Sequence, residues 1–229
     1  MEMDNSQYLV GFLAAAALVF LLWRQVKLKE ALAATAAGAM FADLEPLLEN
    51  VERKPGDSAG SWKLSGRYAG EIFQFTTVVD TLAVRKLPSL WLLVTLPKPQ
   101  PLTATWDVMM RPAAHSTFSR FDFLPHTLRT PPEFPPEAII RSDAADAALP
   151  LEALRPGLPL LLTRQGKEIL ISPKGLRIVI QLAEADRARY GVFREARFDS
   201  AHIDGTVAAT IMNTLLAMDK ELASSHGTG

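Results

Sequence analysis

The chain has 229 residues, with 24 lysines and arginines against 25 aspartates and glutamates, for a formal net charge of −1. This balance gives no overall attraction for nucleic acid or for an acidic substrate. There is no cysteine, which excludes disulfides, cysteine zinc sites and a thiol nucleophile.

An apolar run near the amino terminus, Tyr8 to Trp23, contains no charge and no proline. As a helix it is roughly 24 Å long, against about 30 Å for the hydrocarbon core of a bilayer. Val26 adds apolar length and Arg24 can extend its charge to the headgroups. Tyr8 and Trp23 have the amphipathic rings that favour the two interfaces. The pattern predicts a short tail over 1–7 and a transmembrane helix over 8–26.

Two other interpretations of this run stay open. A cleaved secretory signal normally has a positive first segment, whereas residues 1–7 carry Glu2 and Asp4 and no lysine or arginine. A buried core helix normally has a shorter apolar run. If the helix does cross a membrane, Arg24, Lys27 and Lys29 place the body of the protein on the cytoplasmic side. The tail before the run is short, so the opposite orientation is also open.

Strong helix formers follow the apolar run and predict a helical stalk over 27–53. Ala34, Gly38 and Ala42 lie four residues apart, a spacing that lets two helices approach closely, although alanine also simply favours helix. Within the stalk, a second short helix is expected over 44–51. Residues 54–60 have the proline, glycine and serine composition of a linker.

A soluble domain over 61–223 is predicted to be α+β, with a mainly antiparallel sheet and a carboxy-terminal amphipathic helix. Alternating or apolar β-branched segments indicate the strands. They are 61–68 and 71–80 as a hairpin, 91–96, 103–111, 118–124, 137–141, and 168–172 with 176–182 as a second hairpin; a further short piece is expected at 82–86.

The rest of the domain follows from prolines and helical periodicity. Five prolines between Pro125 and Pro136 predict a surface loop. A helix is expected over 146–155 and another from Ile203 to Leu222, capped by Asp204 or Thr206. The segment 183–198 fits either an interrupted helix or a helix followed by a strand, and 224–229 is expected to be a flexible tail.

The sequence contains no motif for nucleophilic, phosphate-binding or metal chemistry. No catalytic, cofactor-binding or metal residue is therefore assigned, and no cofactor is expected. The nearest group is His115, Ser116, Asp122 and His126, around one predicted strand and its proline-rich exit. Through His115, Asp122 and His126 it supports an alternative hypothesis, a hydrolase acting at the membrane surface.

A second cluster mixes arginines with aromatic residues, as surfaces that bind anionic lipid do. Arg187, Arg194 and Arg197 belong to it, but neighbouring acids compensate most of their charge. It supports a further alternative, a domain that binds anionic lipid or another ligand. The leading hypothesis is a membrane-anchored, non-catalytic binding or scaffolding domain. Its expected partners are the bilayer, through 8–26, and either a membrane-associated protein or a second copy through the stalk; nucleic acid is not expected.

Overall fold

The computed structural model describes residues 5–58, 60–80, 87–112, 116–187, 190–191, 196, 198 and 201–226. For 5–11, 29–30, 32–33 and 226 it describes the backbone alone. The chain divides into two compact units, Met1–Ala39 and Met40–Gly229.

The first unit is helical. Helix α1, Asn5–Phe41, has 37 residues and ends just inside the second unit. It confirms that the helix of the apolar run continues into the alanine-rich segment, where strong helix formers replace apolar residues. Among the side chains that the structure describes, no helical stretch is both long and apolar enough to cross a bilayer. The transmembrane helix predicted over 8–26 is therefore not supported by the structure.

The second unit is built on a nine-stranded sheet in which every neighbouring pair is antiparallel. The strands are β1 Glu49–Pro55, β2 Trp62–Tyr68, β3 Glu71–Asp80, β4 Ser89–Leu96, β5 Trp106–Met110, β6 His126–Leu128, β7 Ala138–Ser142, β8 Gly166–Ser172 and β9 Gly175–Glu184. Their order across the sheet is β1-β2-β3-β4-β9-β8-β5-β7-β6. The predicted α+β class with a mainly antiparallel sheet is confirmed.

Both predicted hairpins are present. Strands β2 and β3 are joined through Ala69 and Gly70, which both have positive φ, at 49° and 86°, as a tight two-residue hairpin turn requires. Strands β8 and β9 are joined through a turn that ends at Gly175, with φ of 142°. A Cβ atom at Gly175 would clash with the carbonyl oxygen of Leu96, so glycine is needed there for space as well as for conformation.

The helix predicted over 44–51 is wrong. A single turn, Glu45–Leu47, leads directly into β1, which occupies part of the predicted stalk and linker. Strand β1 pairs with β2, so that Arg53 lies opposite Leu64. Pairing with a neighbouring strand satisfies the backbone of this segment, and that tertiary interaction overrides its local helix preference.

The strand predicted over 118–124 is also wrong. Phe121–Phe123 is one turn of helix, with Phe121 2% exposed and Phe123 84% exposed. The two rings therefore do not share a face, as a strand would require. The proline-rich loop that follows contains β6, which lies at the edge of the sheet, where proline-flanked strands are tolerated.

The helix predicted over 146–155 is shorter in the structure, because it begins only after Pro150. The structure has two short helices, α2 Leu151–Leu154 and α3 Leu158–Leu161, separated by a turn with Pro156. In the segment left open, 183–198, β9 continues to Glu184, and much of the remainder lies outside the described residues. The piece expected at 82–86 lies outside them as well.

The carboxy-terminal helix is confirmed as α4, Gly205–His226. Asp204 caps it by accepting backbone hydrogen bonds from Thr206 (2.8 Å) and Val207 (3.0 Å). These bonds, led by the one from Val207, hold the pKa of the Asp204 carboxyl below its usual value. One side of α4 is buried in the main core, through Ala208, Ile211, Met212, Leu215, Met218 and Leu222.

The two faces of the sheet are covered differently. The first face carries the main core, in which Phe75, Leu92 and Ile178 join α2, α3 and α4. The second face carries a small separate core of Leu93, Met109, Phe118, Phe121 and Val179. Residues 116–124, here called the covering segment, supply both phenylalanines. This second core determines the surroundings of the charged residues described next.

Candidate functional site

The histidine group predicted from the sequence is not assembled in the described chain. Asp122 is exposed in the Phe121–Phe123 turn, and His126 is half-buried at the start of β6. Within the described residues, no hydrogen bond or ion pair joins their side chains. His115 lies outside the described residues. The hydrolase hypothesis therefore gains no geometric support.

The predicted arginine surface cannot be placed in full. Arg187 is described and exposed, whereas Arg194 and Arg197 lie outside the described residues. This surface stays a prediction. The described residues contain no cluster of three or more histidine, aspartate or glutamate side chains that could bind a metal ion.

A charged cluster that the sequence interpretation missed lies on the second face of the sheet. Asp107 on β5, Glu168 on β8 and Arg177 on β9 belong to it. Trp106 and Val108, which flank Asp107, belong to the core of the first face. The same holds for both neighbours of Arg177 and for Ile169, which follows Glu168, so the alternation of a strand directs the charged residues to the second face. We call these three residues, with Arg141 of β7, the buried charge cluster.

An ion pair forms the centre of this cluster. Arg177 Nη2 donates to Glu168 Oε1 at 2.6 Å, and Glu168 is 0% exposed. The strand register explains the contact, because Glu168 lies opposite Val179, two residues along β9 from Arg177. A short, charge-assisted bond is what makes an ionised carboxylate tolerable in the interior.

Asp107 is almost as buried, at 1% exposed, but its pairing is weaker. Its Oδ2 accepts a hydrogen bond from Ser119 Oγ at 3.3 Å. Burial, followed by the negative charge of Glu168, raises the pKa of Asp107 well above the usual aspartate value, while Arg177 and the Ser119 bond act in the opposite direction. Burial therefore makes the charged form of Asp107 less favourable than that of an exposed aspartate.

The covering segment is held onto the cluster by polar contacts. Ser119 Oγ also accepts from the backbone N–H of Phe121 at 3.1 Å. Arg141 Nη1 donates to the carbonyl oxygens of Phe121 (3.4 Å) and Asp122 (3.3 Å). The Arg141 guanidinium lies 4.9 Å from the centre of the Phe121 ring, within cation–π distance. The cluster thus links four strands of the sheet to the segment that covers it.

Several polar atoms of the cluster have no hydrogen-bond partner. They are Asp107 Oδ1, Glu168 Oε2, Arg141 Nε and Arg177 Nε. The covering segment separates the two carboxylates from solvent, so in this arrangement they cannot contact a substrate. What the geometry supports is a role in positioning the covering segment.

A cavity lies on the other face, between the loop before β5 and the last turns of α4. Its volume is about 450 Å³. Its walls come from Pro101, Leu102, Thr103, Trp106, Ala147, Ala148, Pro150, Leu222 and Ser225. None of these described side chains is charged. The indole Nε1 of Trp106, a wall residue only 5% exposed, has no hydrogen-bond partner.

Sequence reasoning missed both features for the same reason. Alternation over 103–111 places Trp106 and Asp107 on opposite faces of the strand, and this pattern suggests that Asp107 faces solvent. The nearly all-apolar run 91–96 indicates burial on both faces of its strand, but the strand predicted over 118–124 obscured which segment covers the second face. The cavity depends on contacts between the loop and α4, which no local pattern reports.

Comparison with known proteins adds no assignment. No protein-family model, curated protein or solved structure matches this chain.

Proposed function

We propose that this protein is a binding or scaffolding module tethered to a lipid bilayer by α1, with its sheet domain on the cytoplasmic side. The observation that carries the proposal is the exposed apolar surface of α1. Phe12, Leu18, Phe20, Leu22 and Trp23 are among its exposed large hydrophobic residues. A helix that is apolar all round and not packed in a protein core belongs in apolar surroundings.

The exposed apolar area of α1 determines how strongly lipid is favoured over water. Transfer of one exposed large apolar side chain of α1 from water to an apolar medium is favourable by about 1.5–3 kcal/mol. Summed over the described run, this term favours lipid strongly over water. Arg24 and Lys27 follow the run, and their charge asymmetry supports the cytoplasmic orientation.

The binding role is supported by the character of the sheet domain. Its described residues bring no nucleophile, base and orienting group together, and its charged cluster is covered. Its partner is proposed to be another membrane-associated protein or a second copy of the chain. The small residues Ala34, Gly38 and Ala42 are the proposed contact in the second case.

Membrane attachment is tested by fractionation of cells that express the full chain. The wild type is expected in the membrane pellet and to resist alkaline carbonate extraction. Leu18→Arg, in the middle of the apolar run, is expected to lose this resistance because a charge at the bilayer centre costs about 2.5–3.5 kcal/mol. Thr35→Arg, beyond the run, is the matched control and is expected to behave as the wild type. Recovery of the wild type in the supernatant would refute the tether.

Orientation is testable because the chain has no cysteine of its own. Single cysteines are introduced as Ser6→Cys, before the apolar run, and Ser58→Cys, after it. A membrane-impermeant maleimide is expected to label Ser6→Cys in intact cells and Ser58→Cys only after lysis. Labelling of Ser58→Cys but not of Ser6→Cys in intact cells would show that the sheet domain is outside, and labelling of both would indicate a helix that lies on the outer surface without crossing. Protection of both until lysis would indicate a helix that lies on the inner surface without crossing.

A further inference from the structure

Asp107 and Arg141 lie opposite each other in neighbouring strands, yet the structure does not pair them. The register of β5 and β7 places the two residues directly across from each other, and residues in such positions have Cβ atoms about 4.5–5.5 Å apart. An aspartate and an arginine at this spacing can form an ion pair. Each instead has one buried atom without a hydrogen-bond partner, Asp107 Oδ1 and Arg141 Nε.

Both side chains bond to the covering segment instead of to each other. Arg141 Nη1 donates to the carbonyl oxygens of Phe121 at 3.4 Å and Asp122 at 3.3 Å, and Asp107 Oδ2 accepts from Ser119 Oγ at 3.3 Å. The two bonds from Arg141 are longer than the range of about 2.7–3.2 Å that is usual for N–H donors. A bond between a guanidinium and an ionised carboxylate is shorter and roughly twice as strong as one between neutral groups. An ionised Asp107 therefore competes with the covering segment for Arg141.

We propose that Arg141 is a pH-dependent latch on the covering segment. While Asp107 is protonated, Arg141 holds residues 116–124 closed over the second face of the sheet. When Asp107 loses its proton to solvent, Arg141 pairs with the carboxylate, its bonds to the Phe121 and Asp122 carbonyls are released, and the segment opens. The strands below stay in place because their other face is packed in the main core.

The groups around Asp107 set the direction of this switch. Burial, followed by the negative charge of Glu168, raises the pKa of Asp107 in the closed form. Asp122 acts in the same direction, while Arg177 and the bond from Ser119 act against it. Opening returns the carboxyl to water, so the closed form binds the proton more tightly than the open form. The open fraction therefore rises as the pH rises through the closed-form pKa, by at most about tenfold per pH unit for one proton.

Opening exposes the side chains that the strands contribute to the small second core. They are Leu93, Met109 and Val179, each at most 7% exposed in the closed form. The latch thus makes access to this apolar face depend on pH. All the residues involved belong to the unit Met40–Gly229, so the inference does not depend on the membrane tether, and failure of either proposal leaves the other intact.

The test measures how fast methyl methanethiosulfonate labels single cysteines in the full chain, held in mild detergent, between pH 5.5 and pH 8. Val179→Cys reports on the face beneath the covering segment. Val94→Cys, in the main core, is its matched control, and both valines are 0% exposed. Each rate is divided by that of the exposed Ser58→Cys, which corrects for the ionisation of the thiol.

The corrected rate of Val179→Cys is expected to increase at least about fivefold over this range and to exceed that of Val94→Cys at least about tenfold at pH 8. Addition of Asp107→Asn removes the titrating group and is expected to reduce the increase to less than about twofold. In the wild type, the NMR resonance of the Arg141 Nε–H is expected to move downfield over the same range, because this atom gains an acceptor. The resonance is assigned by its absence in Arg141→Gln.

Loss of the latch is a separate measurement. Arg141→Gln is expected to raise the corrected rate of Val179→Cys at pH 5.5 at least about fivefold, since the covering segment loses the donor that holds it. Arg155→Gln, at the exposed pair with Glu152, is the control and is expected to change this rate less than about twofold.

Four outcomes would overturn the proposal. They are equal corrected rates at Val179→Cys and Val94→Cys, a rate at Val179→Cys that does not change with pH, an undiminished increase with Asp107→Asn, and an Arg141 resonance that does not move. If Asp107→Asn or Arg141→Gln does not fold, the pH profile of the two buried cysteines and the Arg141 resonance still decide the result.

Discussion

Asp107 is buried, although the alternation of its strand suggests a side chain in solvent. It is 1% exposed, and burial raises its pKa well above the usual value of 3.8. The folded state therefore binds this proton more tightly than the unfolded state. Proton linkage then fixes how Asp107 contributes to the free energy of unfolding. The contribution is fully present below pH 3.8, the pKa in the unfolded state, and is lost as the pH rises through the pKa in the folded state.

Replacement of Asp107 by asparagine removes this titration while it keeps the size of the side chain. We expect the free energy of unfolding of Asp107→Asn, relative to the wild type, to increase as the pH rises above about 4 and to level off once Asp107 is ionised in both states. Urea unfolding of the full chain between pH 4 and pH 8 measures the difference. Asp146→Asn, the same change at an exposed position, should alter stability by less than about 0.5 kcal/mol throughout. Parallel pH curves for Asp107→Asn and the wild type would contradict the argument.

The ion pair between Glu168 and Arg177 gives a second prediction at this scale. Arg177→Met leaves the carboxylate of Glu168 buried without its cation, which is expected to destabilise the protein by about 3–5 kcal/mol. The double variant Glu168→Leu with Arg177→Met removes both charges and should recover most of that loss. Arg155→Met, at the exposed pair with Glu152, should cost less than about 1 kcal/mol. Urea unfolding distinguishes these cases, and equal losses for Arg177→Met and Arg155→Met would refute the buried pair.

Among the elements, the covering segment shows how two similar residues can have opposite environments. Phe121 is packed in the small core and Phe123 is in solvent, because one helical turn has replaced an extended strand. The contacts from Ser119 and Arg141 hold this turn in place. A strand would instead bury both rings on the same face.

Alanine substitution at these two rings tests the turn directly. Phe121→Ala is expected to cost about 3–5 kcal/mol, since it empties a buried site. Phe123→Ala is expected to change stability by less than about 0.5 kcal/mol. The two variants form a matched pair, measured by thermal or urea unfolding under the same conditions. Similar losses at both positions would favour the extended strand.

For the whole molecule, the structure places the start of the folded domain before β1. Met40, Phe41, Leu44 and Leu48 are buried in the main core, and the backbone N–H of Ile203 donates to the Met40 carbonyl at 3.0 Å. His202 Nε2 and Asp43 Oδ2, 2.7 Å apart, add a contact between the same two segments. The last residues of α1 and those just after it therefore belong to the sheet domain.

A pair of truncations tests this boundary. A fragment that begins at Met40 retains all four buried side chains and is expected to unfold cooperatively. A fragment that begins at Glu49 loses them, and is expected to be less stable by several kcal/mol, since each large buried apolar side chain contributes about 1.5–3 kcal/mol. Circular dichroism with urea titration compares the two fragments. Equal midpoints would show that 40–48 contribute little.

Several features of the fold can be predicted from local periodicity and turn chemistry. The continuous first helix, the hairpins at Ala69-Gly70 and Gly175, and the Asp204-capped carboxy-terminal helix all follow from residues close together in the chain. In each case propensity, patterning and the required backbone angles favour the same structure.

Four other features depend on tertiary contacts: β1, the covering segment, the buried charge cluster and the cavity beside Trp106. Strand β1 forms because β2 offers a partner, and Asp107 is buried because Phe118 and Phe121 lie over its face. These features depend on contacts between segments far apart in the chain, whose free energy exceeds local preferences of a few tenths of a kcal/mol per residue. Local sequence patterns do not predict such contacts, because the contacts form only when the chain folds.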